Sequence, residues 1–279
     1  MANMFFTTAL FLVLLSTGGF IVYIIKQRQG IFHLSCIILF TGFISHTIFL
    51  AIQYHDLGVA PVISLGSALS FFAWCIIGAY LVFHISFRLM VLGSFIVPIA
   101  AVLMIVSSSI PGVGSTVNPV LRSPWFIAHV TTIFIGNGIF TISFTTAIMY
   151  LIQEGQIKRK ILGSFYKRLP SLETLDSINR YSIMYGFCFL TLGMITGAIY
   201  AQNALGSYWQ WDPKEVWTLV TWLGYAMLVH ERLAVGWRGR RAALISIICF
   251  LILMFTFLGG GLWLSDYHSF RNLGAGSVI

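Results

Sequence analysis

The sequence has few charged residues: only 9% of its 279 residues are Asp, Glu, Lys or Arg, whereas 58% are hydrophobic. A soluble domain usually carries about a quarter charged residues, so this composition excludes a water-soluble enzyme. The mean hydropathy of +0.91 indicates one integral membrane unit. The net charge of +8 does not indicate nucleic-acid binding, because the cations stand in short blocks between apolar runs.

Motifs of several enzyme classes are also missing. The sequence has no glycine-rich phosphate loop and no Walker-type motif, which argues against nucleotide hydrolysis. It has four cysteines but no CxxC pair, which disfavours a zinc site and a redox disulfide carrier. We therefore expect the cysteines to be small apolar core residues. They are Cys36, Cys75, Cys188 and Cys249.

Eight apolar segments make up most of the chain. They run roughly over 4–25, 31–52, 62–83, 89–106, 126–152, 181–202, 216–235 and 242–264. Each is about long enough to cross ~30 Å of hydrocarbon as a helix, and none shows the period-two alternation of barrel strands. The sequence predicts an all-α integral membrane protein, a bundle of about eight transmembrane helices.

The distribution of Lys and Arg predicts the orientation of the chain, because these residues accumulate in short cytoplasmic loops. If both termini lie on the outer side, thirteen of the sixteen fall inside: Lys26, Arg28, Arg88, Lys158, Arg159, Lys160, Lys167, Arg168, Arg180, Arg232, Arg238, Arg240 and Arg241. Outside lie Arg122, Lys214 and Arg271. The first span has no basic residue ahead of it, so we expect it to be retained rather than cleaved. Residues 153–180 are predicted to form a cytoplasmic connector.

The external loop between the sixth and seventh segments is rich in tryptophan. Four of the eight tryptophans lie within fourteen residues, at Trp209, Trp211, Trp217 and Trp222. We call residues 203–216 the tryptophan segment. Tryptophan collects at membrane interfaces, and Asp212, Pro213 and Glu215 match the N-cap, N1 and N3 positions of a helix. These two roles do not explain Trp209 and Trp211, which stand on either side of Gln210 just ahead of the cap. We expect the two indoles to form a flat aromatic surface that suits a macrocycle. An interfacial anchor and a ligand platform both remain open.

Two histidines fall near the same outer face. His129 follows SPWFIA at the start of the fifth segment, and His268 stands in LSDYHSF after the eighth. Neutral imidazole is the usual axial ligand of haem iron, so two such residues beside the tryptophan segment favour a haem platform. His46 and His55 are interpreted as structural.

At these residues the sequence resembles a known family. The segment WQWDPKEVWTLVTWL is similar to the WWD signature of haem-handling membrane proteins, and specifically to the form found in the CcsA (ResC) family of cytochrome c biogenesis proteins. The likeness continues through HERLAVGWRGRRAAL downstream and SPWFIAHV upstream. The CcmC and CcmF families also have a WWD signature, but in them it does not continue as DPKE. The resemblance covers the second half of the chain closely and the first half by topology.

The resemblance implies a function. Residues 1–279 would form a single transmembrane haem-handling domain that, with a CcsB (ResB) partner, brings haem b as cargo to the outer face. There the haem would be joined to the CxxCH cysteines of apocytochrome c, so the chain would belong to a cytochrome c synthase (haem lyase) complex. The membrane would be the bacterial cytoplasmic membrane, or the thylakoid membrane of a plastid, with the active face extracytoplasmic.

The resemblance also assigns residues. His129 and His268 would be the axial ligands of the outer haem. From the aromatic platform, and not from the resemblance, we further expect Asp212 to act with these histidines and the haem to rest against Asp212 and three indoles: Trp209, Trp211 and Trp217. A third ligand, His230, would hold a haem within the membrane.

His230 also stands out by its depth. It lies fourteen residues past Val216, about 21 Å along a helix, toward the cytoplasmic side. A membrane haem there would need a second ligand. His33 and His84 share that depth, whereas the resemblance places the second ligand on the partner.

Two other functions stay open at this point. One is a haem exporter or haem-delivery protein that makes no covalent bond. The other is a membrane scaffold whose tryptophans form only an interfacial belt.

Overall fold

The computed structural model describes residues 2–88, 90–110, 119–160, 163 and 165–259. In these residues the chain forms eight α-helices and no strand, which confirms the predicted all-α fold for this part. The helices are α1 (Ala2–Lys26), α2 (Gln29–Leu57), α3 (Leu65–Phe87), α4 (Gly93–Ser109), α5 (Pro124–Lys158), α6 (Leu172–Leu205), α7 (Pro213–His230) and α8 (Arg240–Gly259). Short 3₁₀ turns lie at Pro119–Arg122 and Tyr166–Arg168, and a π-helical turn at Glu231–Val235 follows α7.

Six of these helices are long and apolar enough to cross a membrane, and the chain is an integral membrane protein. The other two are α4, which has 17 residues, and α7, which begins with polar residues. The predicted connector 153–180 is largely helical, because α5 continues to Lys158 and α6 already begins at Leu172. Ser171 caps α6 by accepting a hydrogen bond from the backbone N–H of Thr174 at 3.2 Å.

Consecutive helices run in opposite directions. Ser16 on α1 donates to the carbonyl oxygen of Ser35 on α2 at 2.9 Å, and Ser107 on α4 donates to that of Gly66 on α3 at 2.8 Å. The α5–α6 and α7–α8 pairs are antiparallel as well. The thirteen cations assigned to the inside therefore gather at one end, which we call the basic end. The tryptophan segment marks the opposite, tryptophan end.

The bundle has two packed cores that share α5. One core joins α1 to α5 and takes in a few residues of α6 and α8, and the second lies within the four-helix unit α5–α8. At the centre of the second core, Phe140 of α5 stacks on Tyr225 of α7 with 3.6 Å between ring centroids. The two cores meet where α5 passes α3, and a Cβ on Gly138 would lie 2.8 Å from the backbone of Cys75.

Glycine sets the distance between α5 and α6. A Cβ on Gly186 would lie 2.6 Å from the Phe140 ring, and one on Gly193 would lie 2.5 Å from the Ile133 side chain. Real Cβ atoms do not approach so closely, so any other residue at these positions would force the Phe140 ring or the Ile133 side chain to move. This interface positions the first turns of α5, where His129 lies.

The cysteine prediction is partly wrong. Cys75 and Cys249 are buried and Cys36 is half-buried, as expected of core residues, but Cys188 is exposed. Cys188 lies on the outer surface of α6. A thiol is tolerated there because the lipid around a membrane bundle is as apolar as its interior.

Candidate functional site

His129 lies in the second turn of α5 and is held by α6. Its Nδ1 lies 2.7 Å from the carbonyl oxygen of Gly193. The ring fits so close to α6 because the next turn also carries glycine: a Cβ on Gly197 would lie 2.6 Å from Nδ1 of His129. The glycines of α6 thus fix the position of the imidazole.

The bond to Gly193 also fixes which nitrogen carries the proton. A carbonyl oxygen only accepts hydrogen bonds, so Nδ1 of His129 is the donor. In the neutral imidazole the lone pair then lies on Nε2. Metal-binding histidines commonly have their second nitrogen held in this way by a carbonyl or carboxylate. His129, which is half-buried, is therefore suited to coordinate iron through Nε2.

The tryptophan segment ends in a well-formed start of α7. Asp212 is 6% exposed, and its Oδ1 accepts a hydrogen bond from the backbone N–H of Lys214 at 2.7 Å. Pro213 is the first helical residue, so the predicted N-cap is confirmed. Glu215 reaches past the cap and accepts a hydrogen bond from the backbone N–H of Gln210 at 2.8 Å. These bonds fix the loop ahead of α7 to its first turn.

The two indoles ahead of the cap do not form the expected flat surface. The rings of Trp209 and Trp211 lie 6.0 Å apart and almost perpendicular, at 84°. Trp211 adopts a left-handed backbone with φ of 59°, which turns its side chain away from the plane of its neighbour. Trp211 is also 77% exposed. The pair forms a right-angled corner, so a macrocycle stacked on one ring would meet the edge of the other.

The other two tryptophans of this region are partly buried in helix contacts. The ring of Trp217 packs edge-on against Phe255 of α8 at 4.8 Å. Nε1 of Trp222 donates a hydrogen bond to Oγ1 of Thr191 on α6 at 2.9 Å. Trp222 thus packs inside the four-helix unit. Trp217 stands nearer the start of α7, next to the tryptophan segment.

Contacts through α8 bring His129 and the tryptophan segment to the same end. Phe257 of α8 packs against Phe134, one turn below His129, at 5.5 Å. Two residues earlier, Phe255 contacts Trp217. The start of α5 and the start of α7 therefore both lie at the tryptophan end, beside the end of α8.

Two of the three cations predicted outside also lie at the tryptophan end. Arg122 closes the turn before α5, and Lys214 follows the cap of α7, ahead of the apolar stretch 216–235. Both side chains add positive charge to the end of the bundle that carries Trp209 and Trp211.

His268 and Arg271 lie outside the described residues. Their predicted roles at the outer face stay predictions.

His230 lies at the basic end. It is the last residue of α7, is exposed, and precedes the π-helical turn. His33 and His84 also lie toward this end, but on α2 and α3, whereas α7 packs mainly against α6 and α8. The structure does not bring them together with His230.

A polar network that the sequence analysis missed anchors the turn after His230. The charge distribution in the sequence groups Arg232 with the cations of the cytoplasmic loops. Its side chain, however, is only 1% exposed. Its guanidinium donates to both carboxylate oxygens of Asp176, at 3.3 and 3.2 Å, and to Oδ1 of Asn179. Nδ2 of Asn179 donates to the carbonyl oxygen of Ser143 at 2.8 Å. A basic residue inside an apolar segment was the one sequence signal of this network.

The chain matches a protein-family model over most of its length. The model described as "Cytochrome C assembly protein" matches residues 62–268.

Curated relatives point to the same family. The chain is 36% identical to the "Cytochrome c biogenesis protein CcsA" of Chlamydomonas reinhardtii over 79% of its own length and 64% of the relative. It is 31% identical to the protein of the same name from Chlorella vulgaris, covering 80% of this chain and 81% of that one. The Guillardia theta protein is 29% identical, with 88% of each covered. The chain thus spans just under two thirds of the Chlamydomonas protein and most of the other two.

A solved structure shares the fold. "Cytochrome c Heme Lyase CcmF" superposes with a TM-score of 0.64 and 15% identity, covering 94% of this chain and 49% of that one. At this identity the likeness concerns the fold alone, and the chain spans about half of that protein.

Proposed function

The chain belongs to the cytochrome C assembly protein family, and from this premise we propose that it handles haem in cytochrome c biogenesis. It binds haem b, as cargo, at the tryptophan end of the four-helix unit α5–α8. There it presents the haem for covalent attachment to the CxxCH cysteines of apocytochrome c, together with a CcsB/ResB-like partner.

The observation that carries this proposal is the hydrogen bond from Nδ1 of His129 to the carbonyl oxygen of Gly193. A histidine used only as an interfacial residue needs no fixed tautomer. Here the glycines of α6 admit the ring and orient it, and Nδ1 is committed to Gly193, so Nε2 is the nitrogen that would coordinate the iron.

The corner of Trp209 and Trp211 supports the same site. An indole that is 77% exposed and held in a left-handed backbone stabilises the fold little, and the backbone itself costs about 1–3 kcal/mol. Strained exposed residues of this kind occur at ligand sites. The rings would hold the macrocycle by stacking and edge contact, while Asp212 and Trp217 fix the base of the segment.

The site faces the outer side if the chain spans the membrane eight times with both termini outside. The location of the thirteen cations at the basic end supports this orientation. α4 and α7 count as spans because each packs beside spanning helices, α4 against α3 and α1, and α7 against α8 and α6.

The reaction needs no nucleophile from this chain. In thioether formation a cysteine S–H of the apocytochrome adds across a haem vinyl group: the S–C bond forms, and the proton ends on the terminal vinyl carbon. The reaction is redox neutral. The chain contributes position, because its histidine and indoles fix the haem edge so that the addition proceeds within one complex. His268 would be the opposite axial ligand, and His230 would hold a haem on the way to this site.

The experiment that tests the proposal compares His129→Ala with His55→Ala. His55 is a matched control: it also lies at the tryptophan end, at the end of α2, and its side chain is 89% exposed. Each variant is co-expressed with the partner and a CxxCH reporter, and both haem bound to the purified chain and covalent haem on the reporter are measured.

We expect His129→Ala to lose both signals, with added imidazole partly restoring them, and His55→Ala to keep both. If haem is bound through His129 but the reporter never carries covalent haem, the chain is a delivery protein without ligase activity. Equal signals in both variants would contradict the proposed site.

A further inference from the structure

An open cavity lies at the basic end, between the start of α2 and the end of α3; we call it the α2–α3 cavity. It has a volume of about 360 Å³ and is lined by Phe32, His33, His84, Ile85, Arg88 and Met90. Sites for small molecules have about 300–1,000 Å³. The α2–α3 cavity is at the lower end of this range, so it suits a compact polar group rather than a macrocycle.

The polar wall of the α2–α3 cavity carries hydrogen-bond donors. Arg88 is exposed and ends α3, and its backbone N–H donates to the carbonyl oxygen of His84 at 2.8 Å. The His84 ring lies 5.1 Å from the Phe32 ring and 5.9 Å from the Tyr80 ring, which fixes its place in the last turn of α3. His33 is exposed at the rim. Guanidinium binds phosphate oxygens in a bidentate manner, and a neutral imidazole adds one N–H donor.

Two further cations stand beside the α2–α3 cavity. The hydroxyl of Tyr23 on α1 donates to the sulfur of Met90 at 3.4 Å, which holds the end of α1 against the cavity. Lys26 follows within one turn and ends α1, and Arg28 is the residue directly ahead of α2. With Arg88, these residues place three positive charges at the basic end of this half of the bundle.

Carboxylates are scarce in the same half. Asp56 is the one acidic residue among residues 1–153, and it lies at the other end of α2. In the four-helix unit, by contrast, Glu154 pairs with both Lys158 and Arg240 at the basic end. Within the part of the chain that the structure describes, no salt bridge includes any of the three cations beside the α2–α3 cavity. Their charge is therefore available to an anion from outside the chain.

The side of the α2–α3 cavity that faces away from the bundle is apolar. Ile85 is 79% exposed, and Val82, one turn earlier on the same face of α3, is 62% exposed. Ile37, one turn after His33 on α2, is 63% exposed. These side chains belong to membrane-spanning helices, so they meet acyl chains rather than water. A ligand that fits both sides carries an anionic group and a hydrocarbon chain.

We propose that the α2–α3 cavity binds one anionic phospholipid, whose phosphate is held by Arg88 with His33 and His84, and whose acyl chain lies along Ile85 and Val82. Basic pockets between transmembrane helices bind anionic headgroups in this way. Because this half has no carboxylate at the basic end to meet an ammonium group, the cavity selects phosphatidylglycerol over phosphatidylcholine. The site is separate from the proposed haem site and does not depend on it.

The test measures lipid binding to the full chain. The protein is purified in detergent, stripped of lipid and titrated with phosphatidylglycerol or phosphatidylcholine, and native mass spectrometry gives the dissociation constant of the first bound lipid. We expect Arg88→Gln to weaken the first phosphatidylglycerol on the order of tenfold, and Arg88→Lys, which keeps the charge, to weaken it less. Arg238→Gln is the matched control, because it removes an exposed arginine at the same end in the other half.

Two further comparisons identify the ligand. Phosphatidylcholine should bind more weakly than phosphatidylglycerol, and by the same amount in wild type and Arg88→Gln. Glycerol phosphate, which has the headgroup without acyl chains, should not displace the lipid, whereas displacement would show a site for soluble anions and overturn the proposal. Equal losses of phosphatidylglycerol in Arg88→Gln and Arg238→Gln would show general attraction to a positive surface and overturn it too. So would an Arg88→Gln variant that binds phosphatidylglycerol like the wild type.

Discussion

The two ends of the four-helix unit α5–α8 differ in how deeply their polar and aromatic side chains are buried. At the basic end, Arg232 is buried and bonded to Asp176 and Asn179. At the tryptophan end, Trp211 is exposed and strained. A buried charge persists only where its partners are supplied within the protein, whereas an exposed aromatic residue gains contacts only when something binds it. The basic end of this unit therefore holds the helices together, and the tryptophan end leaves groups available for a ligand.

The largest effect should come from the basic end. Asp176→Ala would leave the Arg232 guanidinium buried without its carboxylate, and breaking such a pair costs about 3–5 kcal/mol. We expect a large fall in the thermal midpoint of the protein in nanodiscs. Arg238→Ala removes an exposed cation from the stretch between the π-helical turn and α8, and this control should change the thermal midpoint little. A thermal midpoint unaffected by Asp176→Ala would mean that the network does not stabilise the unit.

Adding a methyl group at the α5–α6 interface should displace His129 and so reduce haem binding at the tryptophan end. In Gly197→Ala the new Cβ would lie 2.6 Å from Nδ1 of His129, so the ring must move and its bond to Gly193 is lost. We expect reduced haem binding at a cost in stability of about 1–3 kcal/mol. Gly155→Ala on α5 is the control, because its Cβ would meet nothing within 4 Å. Haem binding that Gly197→Ala leaves intact would show that the orientation of His129 does not matter.

The smallest effect on stability, and of opposite sign, is expected at Trp211. Trp211→Gly removes the left-handed strain, so the fold should become more stable by about 1 kcal/mol, while haem is retained less well. Trp211→Ala keeps the strain and loses the ring, so it should lose haem without the gain in stability. Haem release rates and unfolding curves of both variants separate the two contributions. If Trp211→Gly lowers stability instead, the indole is an anchor of the fold.

The features that depend on residues close together in the chain, such as helices and their caps, were predicted from the sequence. The apolar segments became helices, and Asp212 with Pro213 began α7 as expected, because a cap is a local contact. The start of α6 at Leu172 was missed, since its first turns are polar and do not belong to an apolar run.

Contacts between distant parts of the chain could not be predicted. The pairing of Arg232 with Asp176 joins residues 56 positions apart, and the bond of His129 to Gly193 joins residues 64 apart. Histidine in SPWFIAHV indicated a ligand, but only the packing of α5 on α6 fixes its tautomer. The right angle between the two indoles likewise follows from the backbone of Trp211, which their spacing in the sequence does not show.

The central claim is that Nε2 of His129 ligates haem iron at the tryptophan end. Its most direct test is the absorption spectrum of ferric haem bound to purified His129→Cys, which offers a thiolate where the wild-type chain offers an imidazole. If the claim is right, the spectrum changes from that of a histidine-ligated to that of a thiolate-ligated haem. A spectrum identical to that of the wild-type protein, at equal haem content, would contradict it.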